Sequence, residues 1–197
     1  MDDATQEMKL FFQKKKSETI TLYKKDEVYI KMQTGHEIKY SCSDHSGEFL
    51  LKELTEHQDV QGTQRELTIH DSPQQNGVSN CGMWACAEQA HTLLIGSGLP
   101  HTHWAEAMTY STWLQNRSAT HALDGKTPYE VRNGKRPNLA GVQEFSAAAY
   151  MKDLAARKLD SQAQVGRFVG YDSESKGYHT VAQKTVPIFG HFVMFGL

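Results

Sequence analysis

The sequence is short of the features that would settle its class at once. Cysteine is scarce: Cys42, Cys81 and Cys86 are the whole complement, too few and odd in number for a disulfide framework. A reducing compartment is the simpler setting. No run approaches 18 consecutive apolar residues, so no helix is expected to cross a membrane. The opening Met1-Asp2-Asp3 is acidic and lacks the basic and apolar stretches of a signal peptide. An intracellular location, nuclear or cytoplasmic, is therefore expected rather than secretion. No internal repeat or low-complexity tract occurs. Charge of one sign is also lacking, since the net charge over 197 residues is -2. A strongly basic chain would bind nucleic acid over its whole surface by counterion release. Here any such surface must be local.

What is present is ordinary globular composition, 39% hydrophobic and 22% charged, enough for one real core in one or two domains. Residues 40–116 hold 2 Lys/Arg against 9 Asp/Glu, whereas residues 117–197 hold 11 against 7. The middle is the least suitable place for a phosphate-binding face, and the last third the best.

Local patterns outline the elements. Lys9 to Gln13 reads as a short strand running into Lys14-Lys15-Lys16. Ser17 is a candidate N-cap for a helix over Glu18 to Gln33, which Gly35 would stop. Glu37 to Ser43 alternates Ile38, Tyr40 and Cys42 with polar neighbours, the period of a strand. Helices are expected over Glu48–His57, Ser79–Ile95 and from Thr102 to about Asn116, with a short strand near Arg65–Ile69. Residues 72–77 read as a loop. Thr127-Pro128-Tyr129-Glu130 opens a short helix with Pro in its first turn. After Pro137, Gly, Val, Phe and Tyr cluster at Val165–Tyr171 and again at Val186–Phe195, which reads as short strands and tight turns. Trp84, Trp104 and Trp113 are expected in the core.

Several stretches, taken in order, resemble the integrase region of copia-type LTR retrotransposon polyproteins. They are Asp44-His45-Ser46-Gly47-Glu48-Phe49; Ser72-Pro73-Gln74-Gln75-Asn76-Gly77-Val78; Gly98-Leu99-Pro100 with Trp104-Ala105-Glu106-Ala107; Asn116-Arg117-Ser118; Leu123-Asp124-Gly125-Lys126-Thr127-Pro128-Tyr129-Glu130; Gly134-Lys135-Arg136-Pro137; Phe168-Val169-Gly170-Tyr171; and Ser175-Lys176-Gly177-Tyr178. The resemblance implies an α/β fold: a partial RNase H-like integrase core, a mixed sheet flanked by helices, followed by a small SH3-like β-barrel. It places the core over 1–115, a connecting helix and linker over 116–140, and the barrel over 141–197. It also implies a site of three carboxylates holding two Mg²⁺ or Mn²⁺ ions for phosphoryl transfer, since hard cations prefer charged oxygen.

Matched residue by residue, that site is depleted. Asp44 corresponds to the second carboxylate. The family's Glu falls 36 positions on, at Asn80. An amide oxygen carries no charge, so metal binding at Asp44 would be weak and no cofactor is expected. The family's first carboxylate lies on a first strand upstream of the Lys-rich strand, and Asp2-Asp3 echo the pair that ends its second. On this reading the first strand is missing and the core truncated. The neutral run Cys81-Gly82-Met83-Trp84-Ala85 stands where the family carries polar and basic residues facing DNA. The expectation is a degenerate integrase fragment without catalysis of its own. Its remaining candidates for weak DNA contact are Lys14, Lys15, Lys16, Arg132, Lys135, Arg136, Arg157, Lys158 and Arg167.

Other groupings are weaker. Cys81 and Cys86 stand at i and i+5 on an expected helix, where side chains diverge, and His101 and His103 lack a matched second pair, so zinc is not expected. Asn116-Arg117-Ser118 fits a glycosylation sequon, but secretion is not expected. A second reading, from another class, is a host-reused protein-interaction module. Met83, Trp84 and an exposed sheet edge would make its partner surface, and that edge would also allow a homo-oligomer.

Overall fold

A computed structural model describes residues 1–15, 18–43, 48–67, 77–153, 156–172, 175 and 177–182, with the backbone alone at 43, 48–51, 67 and 77–80. The chain divides into two compact units. One is Phe11–Gly82; the other gathers Met1–Leu10 with the described residues from Met83 onward.

The unit Phe11–Gly82 begins with helix α1 (Thr19–Thr34). Gly35 ends it in the left-handed conformation, φ 71°, and its N–H donates to the Lys31 carbonyl. That is the C-cap glycine expected from sequence, because a Cβ strains this backbone. Strand β1 (Tyr40–Ser43), helix α2 (Glu48–Gln61) and strand β2 (Gln64–Leu67) then form a parallel crossover unit, with Tyr40 opposite Gln64. Parallel neighbours need such a helical return. β1 and β2 each have one strand neighbour among the described residues.

The packing of this unit is polar. Its buried described side chains are Gln58 and Thr63. Gln58 donates to the Tyr23 hydroxyl at 3.2 Å, and Thr63 Oγ1 donates to the Ile38 carbonyl at 3.0 Å. His57 and Glu27 meet at 2.6 Å. No hydrophobic side chain of 11–82 is fully buried among the described residues. Hydrogen bonds net little against water, whereas apolar burial dominates folding. The amides of α2 should therefore exchange through openings at least about 2 kcal/mol easier than those of β4 in the other unit. Native-state hydrogen exchange checks this, and equal protection would refute it.

The larger unit carries the core. Helix α3 (Gly77–Ser97) enters it from Met83 and is followed, after a single 3₁₀ turn at His101–His103, by α4 (Trp104–Gln115). Helix α5 (Pro128–Asn133) starts as expected: Thr127 accepts from the Glu130 N–H at 3.0 Å and Pro occupies the first turn. A cap of this kind stabilises by about 1 kcal/mol. Strands β3 (Ala148–Lys152), β4 (Ala163–Tyr171) and β5 (Tyr178–Ala182) make an antiparallel sheet in chain order. Ala90 and Leu94 of α3, Ala107 and Tyr110 of α4, Phe145, and Phe168 and Val169 of β4 form one buried cluster. The spacing of Cys86, Ala90 and Leu94 is one helix face. Gly166 is required by close approach: a Cβ there would stand 2.6 Å from the Val181 carbonyl oxygen.

Several expectations are corrected. Lys9–Gln13 is not a strand. Just before it, the Met8 amide and carbonyl are engaged by the Asn116 side chain. α4 begins at Trp104, not Thr102, because the 3₁₀ turn intervenes and its N-cap His103 makes no side-chain cap. Trp84 and Trp104 are exposed, 70% and 54%, and only Trp113 packs on the core. Tryptophan content marks apolar surface without saying which side of a helix carries it. Ser17, the loop 72–76 and the cluster at Val186–Phe195 lie outside the described residues.

Candidate nucleic-acid interface

Asp44 lies outside the described residues, directly after β1, and Asn80 sits in the first turn of α3. Beyond it, Cys81, Met83, Trp84 and Ala85 are exposed, and none of them carries a charge. Among the described residues no three His, Cys, Asp or Glu side chains gather as a metal site. The two cysteines part as the i, i+5 spacing requires: Cys81 is exposed, Cys86 buried. Ser111 Oγ donates to the Cys86 carbonyl at 2.9 Å, and Thr112 Oγ1 stands 3.7 Å from its thiol. These are packing contacts. His103 is buried and His101 exposed.

The basic candidates separate into two kinds. Arg132 and Arg167 are held by the protein. The Arg132 guanidinium pairs with the Glu7 carboxylate in a largely buried contact. Arg167 donates to the Ser97 carbonyl and to Ser146 Oγ, both at 2.8 Å, joining β4 to the end of α3. Arg117, outside the candidate set, is likewise engaged, with its guanidinium carbon 3.9 Å from the centre of the Trp113 ring and 4.9 Å from that of Tyr129. Burial holds its pKa below the usual arginine value.

Lys135, Arg136, Arg157 and Lys158 are exposed in the larger unit. Arg136 makes a loose pair with Glu130 at 3.4 Å while remaining 87% exposed at its side chain. Arg157 and Lys158 ride the loop joining β3 to β4, where Asp160 accepts from the Arg157 amide at 3.1 Å. Lys14 and Lys15 are exposed but belong to the other unit, and Lys16 lies outside the described residues. Of the basic candidates in the larger unit, Arg132 and Arg167 are thus engaged within the protein, and Lys135, Arg136, Arg157 and Lys158 are exposed.

It adds two residues that a charge count alone does not single out. Tyr150 and Lys152 stand on the same face of β3, the exposed one, and Tyr150 is 80% exposed. Lys152 directly precedes the Arg157–Lys158 loop. Single-stranded nucleic acid is generally bound by cations along its backbone together with aromatic rings under its bases. The signal is present in the sequence as the period-2 series Ala148, Tyr150, Lys152.

In the core of this unit the aromatic rings are locked. Trp113 and Tyr171 stack at 4.3 Å, and the Tyr171 hydroxyl accepts from the Gln143 amide at 2.7 Å. Tyr110 donates to the Gln143 carbonyl at 2.5 Å, and burial pushes its phenol up to about 12, so it stays protonated as a donor.

Residues 146–189 match the retroviral polymerase SH3-like domain. Over 90% of its length the chain is 28% identical to a retrovirus-related Pol polyprotein from transposon TNT 1-94 of Nicotiana tabacum, of which it spans 14%. Over 69% it is 27% identical to the polyprotein from transposon RE2 of Arabidopsis thaliana, of which it spans 9%. Among solved structures, a simian T-cell lymphotropic virus intasome in complex with PP2A regulatory subunit B56 gamma aligns at a TM-score of 0.47 and 13% identity. That alignment covers 87% of this chain and 63% of the other. The chain is accordingly similar to a short stretch of the retrovirus-related Pol polyproteins of plant transposons, and its residues 146–189 match the retroviral polymerase SH3-like domain.

Proposed function

We propose that the chain is a degenerate copia-type integrase segment that binds nucleic acid weakly and does not transfer phosphoryl groups. The observation that supports binding is the exposure of Lys135, Arg136, Arg157 and Lys158 in the unit that contains the SH3-like match. Each phosphate neutralised releases counterions, at about 0.9 in the slope of log affinity against log salt for duplex DNA. Tyr150 would add stacking on single strands, worth about 1–3 kcal/mol per base.

The donor set argues against the two-metal chemistry that the family implies. Asp44 and Asn80 bring one carboxylate and one amide to the matched positions. Two divalent cations need more negative oxygen than that pair supplies, and we derive no step through them.

Fluorescence anisotropy with single-stranded and duplex DNA oligonucleotides tests the reading. Binding should weaken with salt. Alanine at Lys135, Arg136, Arg157 and Lys158 together should flatten the slope by about 2–4. Tyr150→Ala should weaken single-strand binding about tenfold and duplex binding little. A wild-type slope of zero would overturn the binding claim. Turnover in a nicking or strand-transfer assay with Mg²⁺ or Mn²⁺, above an Asp44→Ala control, would overturn inactivity.

One observation favours the second reading, a host-reused protein-interaction module. Met83 and Trp84 are 54% and 70% exposed on α3, where an integrase of this type would carry polar residues. Salt-insensitive capture of a protein partner, lost in Trp84→Ala, would support it over the first.

A further inference from the structure

The ladder between β3 and β4 continues past Lys152, where the Asp153 amide donates to the Gln162 carbonyl at 2.9 Å. Beyond it, Arg157–Asp160 forms a tight turn. The Asp160 amide donates to the Arg157 carbonyl at 2.9 Å, and Asp160 Oδ2 accepts from the Arg157 amide at 3.1 Å. Gln162 Nε2 donates to the Arg157 carbonyl at 2.7 Å and to that of Asp160 at 3.0 Å. Four hydrogen bonds thus brace the turn, and Lys158 and Leu159 are its two central residues. Leu159 is 98% exposed. A lone exposed leucine is ordinary. This one is held out on a fixed backbone, beside the exposed Arg157 and Lys158. Both acids of the segment are used by the hairpin itself: Asp153 accepts from Gln164 Nε2 at 2.5 Å, and Asp160 from the Arg157 amide. The side chains of Arg157 and Lys158 make no ion pair among the described residues. The tip is therefore an apolar point flanked by two available cations.

We propose that this turn is a wedge for the minor groove of duplex DNA: Arg157 and Lys158 take phosphates along the groove, and Leu159 enters between two base pairs. The proposal rests on the nucleic-acid reading above and adds how a duplex is held and deformed. Two cations beside an apolar point match a polymer whose charged walls enclose a stack of apolar base faces. Proteins that bend DNA from the minor groove use leucine and similar side chains in this way, unstacking one step and kinking the duplex. Such a wedge needs a stiff backbone, because a slack loop would turn aside rather than open the stack. A bilayer is the poorer partner. One leucine buries less apolar surface than one acyl chain, and one acyl chain alone holds a protein only marginally. The cost of a kink depends on the step, and pyrimidine–purine steps such as TA open most easily. The turn should therefore prefer deformable steps without hydrogen-bonding to base edges.

Two labelled DNA duplexes test it on the full chain. Each carries 2-aminopurine at its centre and a donor and an acceptor dye at its ends. One places the probe at a TA step, the other within an A-tract. With the chain bound at saturation, emission at the TA step should rise about twofold or more as the probe unstacks, and energy transfer between the ends should increase as the duplex bends. The A-tract duplex should change little and bind about tenfold more weakly. Leu159→Ser should lose both signals and bind the TA duplex about three- to tenfold more weakly. Its salt slope should not move, because the slope counts charges. Leu159→Phe should keep both signals, since a ring also wedges. Arg157→Ala/Lys158→Ala should lower the slope by about 2. Near-UV circular dichroism of Leu159→Ser should match wild type, and a differing spectrum overturns the exposed tip. Salt-dependent binding with neither signal, or with signals that survive Leu159→Ser, overturns the wedge and leaves the nucleic-acid reading standing. Absence of salt-dependent binding overturns both. Sedimentation with phosphatidylserine vesicles that Leu159→Ser abolishes, without unstacking of DNA, overturns the wedge in favour of a lipid surface.

Discussion

Phe168→Ala should lower the stability of the larger unit by about 3–5 kcal/mol, read as a shift in the urea midpoint at constant slope. Phe168 is 3% exposed on β4. Its ring meets Tyr110 edge-on at 5.7 Å and Tyr171 at 5.0 Å, and it approaches Tyr178 at 5.8 Å. Aromatic pairs in such geometries add about 0.5–1.5 kcal/mol beyond the area they bury. The surroundings cannot collapse to fill the space. Tyr110 is tied by its hydroxyl to Gln143, Tyr171 is stacked on Trp113, and the β4 backbone is paired on both sides. The cost should therefore sit toward the upper end, since the size of the residual cavity sets the spread. Tyr150→Ala, on an 80% exposed residue of β3, should move stability by less than about 0.5 kcal/mol. A Phe168→Ala loss below about 1 kcal/mol would mean that the aromatic cluster is not the core.

Local signals carried to the structure where the physics is local. Gly35 ends α1 and Thr127-Pro128 starts α5 because cap chemistry acts over three or four residues. The apolar, glycine-spaced run at Val165–Tyr171 became β4, whose buried residues cluster at 166 and 168–170. Long-range pairings were not legible. Asn116 and Met8 are separated by 108 positions, and nothing in Asn116-Arg117-Ser118 reveals that its amide is engaged by a distant backbone. The same holds for charge. Arg132, Arg167 and Lys158 look alike in a count, but a buried acid claims the first, a helix-end carbonyl the second, and water the third. Lys9–Gln13 has a strand's composition, and strand formation also needs a ladder partner, which composition cannot supply. For the candidate catalytic pair, sequence remains the guide, since Asp44 and the Asn80 side chain lie outside the described residues.

Arg132→Ala should cost about 3–5 kcal/mol near neutral pH, because it leaves the Glu7 carboxylate buried without its partner. The loss should depend on pH in a definite direction. In the wild type, burial raises the Glu7 pKa above its ordinary value, and the hydrogen bond and charge of Arg132 pull it back only in part. A carboxyl whose folded pKa is raised holds its proton more tightly in the folded state. Its contribution is complete below the unfolded value and is lost as pH rises through the folded one. Removing Arg132 takes away both lowering influences, so the folded pKa climbs further and the loss with rising pH becomes steeper, by about 1.4 kcal/mol for each added pKa unit. Urea unfolding of Arg132→Ala and wild type at a series of pH values should therefore show a gap that is smallest at about pH 3, well below the unfolded value, where Glu7 is protonated in both states, and that widens as the pH rises. Adding Glu7→Gln to Arg132→Ala should remove the extra slope, since an amide has no proton to lose. A pH-independent gap between Arg132→Ala and wild type would mean that Arg132 acts by filling space rather than by compensating the buried charge.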